Sequence, residues 1–282
     1  MSENTPTQHP WRFLNTQEGN AFFNMATDEA LVQSVANGGP PIFRIYAWSP
    51  PAVSFGYAQH IDREIDLQKC RDQNIHIVRR ATGGRAVLHW NELTYSVICH
   101  KDDPTVGGSI QDAYRKISLA LMTGVKHLGA NVSFESHRHK QPSPRGKELT
   151  APCFTSTAQH EVTLNNRKLI GSAQQRIGQT LLQHGSLLLG PEHKQIVTLF
   201  PNGKEKLRDR FTQELNTHTI SLSEALNHPI DFTTTAQALR KSWAESFPHI
   251  TLTDTDLSPE ELTETNRLTS EKYATDTWNF KR

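Results

Sequence analysis

The chain reads as an α+β protein with a mixed, mostly antiparallel central sheet flanked by helices. Three features predict this class. Short runs with strand-like patterning recur as far as residue 189, among them 42–46, 52–55 and 93–100. Helical patterns interrupt them, the strongest over 109–128. Beyond Pro191 the pattern turns largely helical, and strands followed by a helical tail suit α+β.

In chain order, 24–35 reads as a helix with Asn24 as N-cap, Asp28 and Glu29 in its early turns, and Gly38-Gly39 at its end. Strands 42–46 and 52–55 flank the Pro50-Pro51 turn. A short helix over 65–73 leads to a strand at 76–79, and another strand at 86–88 follows Gly83-Gly84. In 93–100, Leu93, Tyr95, Val97 and Cys99 share one face. The polar, basic segment 135–152 reads as a loop. Strands at 160–164, 167–171 and 183–189 follow, the first two joined through Asn165-Asn166, and helices cover 233–247 and 259–272. The expected organisation is a flexible 1–10, one main domain over 11–250, and a helical extension, 251–282, packed on it.

With 30 Lys and Arg against 29 Asp and Glu, no global field draws the chain to nucleic acid or an anionic membrane. No signal peptide or spanning stretch is visible, and three scattered cysteines make neither a disulfide framework nor a zinc site. No metal is expected. The expected compartment is a reducing cytoplasm.

Three segments carry candidate chemistry. In Arg79-Arg80-Ala81-Thr82-Gly83-Gly84-Arg85-Ala86-Val87-Leu88-His89, the glycines let backbone approach a ligand closely, and Arg85 is placed to meet a carboxylate, phosphate or pantetheine group. The pattern is neither a Walker nor a Rossmann fingerprint, and an isolated Gly-Gly pair is usually a surface hairpin. The hairpin through Lys168 ends in Gly171-Ser172-Ala173, small residues beside which a thin apolar chain fits. Among the cysteines, Cys99 falls on an apolar face and Cys70 in a short helix. Cys153 follows a basic loop with His137, Arg138, His139, Lys140, Arg145 and Lys147, whose charge favours a thiolate.

RRATGGRAVLH followed by NELTYSV closely resembles the lipoate–protein ligase and octanoyltransferase superfamily, which shares its fold with the biotin ligases. FNMATDEAL, NNRKLIGSAQQR, LLQHGSLLL and KYATDTWNFKR extend the resemblance over most of the chain. The family loop often has His-Asp where this chain has His89-Trp90. The resemblance implies a biotin/lipoate protein ligase-like catalytic domain. It also implies an acyl site formed by Arg79, Arg80, Thr82, Gly83, Gly84, Arg85, Ala86, His89, Gly171, Ser172, Ala173, His184 and Gly185. Lys168 matches the family's functional lysine, expected to polarise an acyl carbonyl.

Ala151-Pro152-Cys153-Phe154 is similar to the cysteine block of LipM-type octanoyltransferases, which makes Cys153 the expected nucleophile. The implied reaction moves octanoyl from acyl carrier protein, through a cysteine thioester, to a lysine of a lipoyl domain such as glycine-cleavage H protein. It needs no cofactor. The alternative is an ATP-dependent lipoate–protein ligase, using ATP and Mg²⁺ to form an adenylate. The stop at Trp278-Asn279-Phe280-Lys281-Arg282, without the accessory domain of bipartite ligases, favours transfer. A non-catalytic lipoyl-domain or acyl-binding module is a third reading.

Overall fold

A computed structural model describes residues 9–135 and 161–281. The chain enters through β1 (His9–Gly19), α1 (Ala21–Ala36) and β2 (Ile42–Trp48). There follow β3 (Ala52–Phe55), two short helices α2 (Ile61–Glu64) and α3 (Leu67–Asp72), then β4 (His76–Arg79), β5 (Val87–His89) and β6 (Glu92–His100). Helix α4 (Ile110–His127) leads to β7 (Ser133–Glu135), and β8 (Glu161–Leu164), β9 (Arg167–Ile177) and β10 (Thr180–Leu188) form a meander. A 3₁₀ segment (Pro191–Leu199) opens the helical part: α5 (Glu205–His218), α6 (Leu222–Leu226) and α7 (Phe232–Ser246). The chain closes with β11 (Ile250–Asp254), α8 (Pro259–Leu268) and α9 (Asp276–Asn279).

Among the described residues the strands form two sheets. The larger runs β11-β1-β2-β6-β10-β9-β8-β7, and the smaller β4-β3-β5. β1 is parallel to both of its neighbours, while the pairings from β2 outward to β7 are antiparallel. The expected mixed, mostly antiparallel sheet is the one observed. One face buries Leu93, Tyr95, Val97 and Cys99 with Ile117, Leu121 and Val125 of α4 and Leu239 and Trp243 of α7. Ser109 and Asp112 cap α4 reciprocally, which fixes where it starts. On the other face lie α1 and the small sheet, and a cavity opens between the two sheets.

Three expectations need correction. Helix α1 starts earlier, with Asn20 accepting from the backbone amides of Phe22 and Phe23. Asn24 lies buried inside the helix and donates to the carbonyls of Gly19 and Ala47. Asp28 accordingly lies past the first turn, where it is a buried ion-pair partner of Arg44, which crosses beneath the helix. Finally, β1 already includes His9 and Pro10, which pair with Ile250 and Thr251 of β11. The divisions drawn at 10 and 250 therefore both fall within strands. Such parallel pairing between chain ends leaves no local trace in sequence.

The tail folds back onto the body. Arg12 and Ser34 bond to Glu261, while Lys272 and Tyr273 bond to Glu29 of α1. No described helix is long and apolar enough to cross a membrane.

The small sheet is closed by the glycine turn lying directly on Gly56, where an added Cβ would stand 2.0 Å from the Gly84 carbonyl oxygen. Backbone cannot give way as a flexible side chain does. Gly56→Ala is expected to destabilise the protein by about 1–3 kcal/mol. A fall in the urea midpoint checks this, and an unchanged midpoint would contradict the close approach.

Candidate active site

A cavity of about 380 Å³ lies along the seam of the two sheets. Its middle is apolar, walled by Met25 of α1, Tyr46 and Trp48 of β2, and Val87 of β5. The backbone-rich stretch Gly171, Ser172 and Ala173 faces His184, Gly185 and Ser186 across the β9–β10 pair. Ser54, Arg80, His89 and Thr94 complete the wall with polar groups. A slot with an apolar middle and few polar contacts suits a thin chain carrying one polar end.

The two arginines of the glycine loop have different work. Arg80 is buried and clamps the turn. Its guanidinium donates to the carbonyls of Gly83 (2.9 Å), Arg85 (2.8 Å) and Ser54 (2.9 Å), and to the Ser54 hydroxyl (3.0 Å). Gly84 adopts φ +102°, and Arg80 Nη2 lies 2.7 Å from where its Cβ would be, so a side chain is excluded twice over. Arg79 is 0% exposed and does not line the cavity. It donates to the carbonyls of Gly56, Tyr57, Gln59 and Asn279, tying the loop after β3 to the C-terminal helix. Ala86 is buried in the cluster beneath the small sheet, while Gly83 and Gly84 face solvent. The side chain of Arg85, half-buried beside them, has no hydrogen bond or ion pair among the described residues.

Thr82 reaches the cavity indirectly. Its hydroxyl lies 2.7 Å from His184 Nε2, and His184 Nδ1 lies 3.1 Å from Asp28 Oδ2. Asp28 also accepts from Arg44 (2.6 Å), Tyr46 (3.1 Å) and Ser96 (2.9 Å). Burial pushes the Asp28 carboxyl up. The Arg44 charge and the bonds from His184 and Ser96 outweigh it and hold the group below its ordinary 3.8. With Asp28 ionised, His184 Nδ1 is the donor to it, and Nε2 faces the Thr82 hydroxyl. One network thus joins α1, β2, β6, β10 and the glycine loop.

A second network backs the opposite wall. His89 stacks on Trp48 with ring centroids 4.0 Å apart. Its Nε2 lies 2.7 Å from the Ser54 hydroxyl and its Nδ1 2.7 Å from Glu92 Oε1. Ser186 and Thr94 donate to that same oxygen at 2.7 and 2.5 Å, and Trp48 donates to Thr94.

Lys168 sits at the start of β9, 5% exposed, three residues before the slot. A register shift in the β8–β9 pairing lets Leu169 and Ile170 both pack into the core. Alternation then returns Lys168 to the face that carries Gly171 and Ala173. Cys153 and the basic residues before it lie outside the described residues. The other two cysteines are buried. Burial, with Asp66 nearby, pushes the Cys70 thiol up to about 12, and burial raises Cys99 as well. Neither is a thiolate near neutral pH.

Of the expected acyl-site residues, Arg80, His89, Gly171, Ser172, Ala173, His184 and Gly185 meet at the cavity. Arg79 and Thr82 brace it from behind. Sequence reasoning passed over Met25, Tyr46, Trp48, Ser54, Asp28 and Glu92. Two of these, Met25 and Asp28, stand inside the block FNMATDEAL. The signal that marks the acids is the energetic demand of a carboxylate amid apolar neighbours, visible only once the neighbours are known.

Asp28→Asn leaves Arg44 buried without its counter-charge and is expected to cost about 3–5 kcal/mol at pH 7. Because the folded carboxyl titrates below its unfolded value near 4, its contribution is complete above that value. It drains away as pH falls through the folded value. Urea denaturation should therefore show the wild-type advantage shrinking in acid. An advantage that does not shrink would contradict the pairing.

Residues 20–244 match the family of lipoyl protein ligase A/B catalytic domains. Octanoyltransferase LipM of Kyrpidia tusciae is 38% identical, over 96% of this chain and 99% of that protein. Octanoyltransferase LipM of Bacillus subtilis is 36% identical, over 96% and 98% respectively. The bipartite lipoate protein ligase of Thermoplasma acidophilum has the same fold, with TM-score 0.76 at 23% identity, covering 97% of this chain and 96% of that one. The fold and the near full-length similarity agree, and the chain belongs to the lipoyl protein ligase A/B catalytic domain family.

Proposed function

We propose that the chain is an octanoyltransferase of lipoate assembly, taking octanoyl from a thioester and placing it on a lysine of a lipoyl domain. The observation that carries this reading is the near full-length similarity to octanoyltransferases, 38% in the Kyrpidia tusciae protein. The narrow apolar slot beside Gly171 supports it, since it suits a straight alkyl chain. The donor in this reading is acyl carrier protein, and the acceptor a lipoyl domain such as glycine-cleavage H protein, both in a reducing cytoplasm.

The chemistry runs in two exchanges. The Cys153 thiolate attacks the donor thioester carbon, a new C–S bond forms, and the carrier's thiolate leaves. The free lysine amine then attacks the enzyme thioester, the C–N bond forms, and Cys153 departs as thiolate while the nitrogen sheds a proton. The first exchange is nearly isoenergetic and the second downhill, so neither requires ATP. Lys168 serves as the cation facing the acyl oxygen as it gains charge. Arg85, beside the exposed glycines, is placed to meet a phosphate of the donor's prosthetic arm.

The test offers the protein octanoyl-acyl carrier protein without ATP, or free lipoate with Mg-ATP, and follows modification of a lipoyl domain. Modification from the thioester donor is expected. Modification only from lipoate and ATP would establish the ligase reading instead, and binding without turnover a non-catalytic module. Cys153→Ser should reduce transfer on the order of 10³-fold or more. Lys168→Met should reduce it about 10²–10³-fold, the scale of a lost oxyanion donor.

A further inference from the structure

Glu92 carries an asymmetry that the acyl cavity does not explain. Its side chain is buried, with the residue 4% exposed. Oε1 collects the bonds from His89, Thr94 and Ser186, while Oε2 is buried without a hydrogen-bond partner among the described residues. A bare carboxylate oxygen away from water costs free energy that some partner normally offsets. Glu92 does not line the acyl cavity. It lines a separate groove of about 420 Å³, together with Glu18, Trp48, Trp90, Leu189 and Phe232.

We infer that this groove receives the acceptor lysine, its methylene stem between the aromatic side chains and its ammonium on Glu92 Oε2. The inference rests on the octanoyl-transfer reading for the identity of the acceptor. Charge and shape argue for this occupant. Glu18 is exposed and Glu92 buried, so the groove has a carboxylate at its rim and another at depth. Between them the walls are indole and phenyl, which suit an alkyl stem and attract a cation.

The location suits transfer. Trp48, stacked on His89, lines both groove and acyl cavity, so the two adjoin there. Glu92 pairs with Leu188, and Leu187 with Ile170, which puts Glu92 and Lys168 at the same end of the sheet. Their strands are separated by β10 alone, about 10 Å at the usual spacing. An acyl carbonyl held near Lys168 and an ammonium held at Glu92, once it has passed a proton to that carboxylate and become the free amine, would approach from opposite sides. Trp90, the position at which the loop departs from its family's His-Asp, becomes a wall of the groove.

Calorimetry of an unacylated lipoyl domain, with its target lysine intact or replaced by methionine, tests this. Wild-type protein should bind the methionine form at least 10-fold more weakly, and Glu92→Gln should bind both forms alike. A lysine preference that survives Glu92→Gln would overturn the site and mean that Oε2 is merely hydrated. Should Glu92→Gln fail to fold, the double variant Glu18→Gln/Trp90→Ala must reduce the preference at least 3-fold, and an unreduced preference overturns the site equally. Binding needs no turnover, so the two failures separate. A lysine preference through Glu92 without octanoyl transfer keeps the site and removes the transferase reading. Transfer with a Glu92-independent preference does the reverse.

Discussion

Placing a carboxylate beneath a helix in an apolar layer is unfavourable unless the charge is met from several sides. Asp28 is met by Arg44, Tyr46, Ser96 and His184, and each partner belongs to a different strand or a different point on one. Satisfying this single group therefore fixes α1 against β2, β6 and β10 at once. Through His184 and Thr82 the same constraint reaches the glycine loop. The cavity's geometry follows from where that carboxylate can be satisfied. The arrangement repeats at the other wall, where Glu92 orients His89 and His89 meets Ser54. Two buried acids, each holding a histidine that faces the slot, frame the space in which an acyl chain would lie.

The glycine loop owes its shape to internal bonding before any ligand arrives. Arg80 satisfies the carbonyls of the turn, and Arg79 binds the loop after β3 to Asn279. Both cations are consumed in building the site. Arg85 stands apart, half-buried and uncommitted among the described residues. A loop of this kind offers a preformed surface, so little of the binding free energy is spent on ordering it.

Much of the fold was legible because it depends on local patterning. The alternation of Leu93, Tyr95, Val97 and Cys99 gave the core face of β6, and the pattern over 109–128 gave α4. Asn165-Asn166 gave its hairpin, and both residues adopt positive φ there. Gly171 to Ala173, His184 and Gly185 were legible as motif residues, and they do meet at the cavity, whereas Gly83 and Gly84 face solvent. What escaped was non-local. The parallel pairing of β1 with β11 joins distant segments, as in His9 with Ile250, 241 positions apart. Asp28 looked like no more than an acid in a helix's early turns because its partners lie on three strands elsewhere in the chain. Glu92 stood in a quoted motif, yet its significance lies in an oxygen left bare, which only coordinates reveal. Arg79 looked like a ligand contact because sequence cannot tell a carbonyl-bound guanidinium from a free one.

The central claim is that this cleft accepts an already activated acyl group and holds it covalently before passing it on. Intact-protein and peptide mass spectrometry, after incubation with octanoyl-acyl carrier protein and no nucleotide, tests it most directly. The account predicts one octanoyl group per chain, mapped to Cys153 and released by hydroxylamine as a thioester. An unmodified protein that still transfers octanoyl, or an adduct on any other residue, would contradict it.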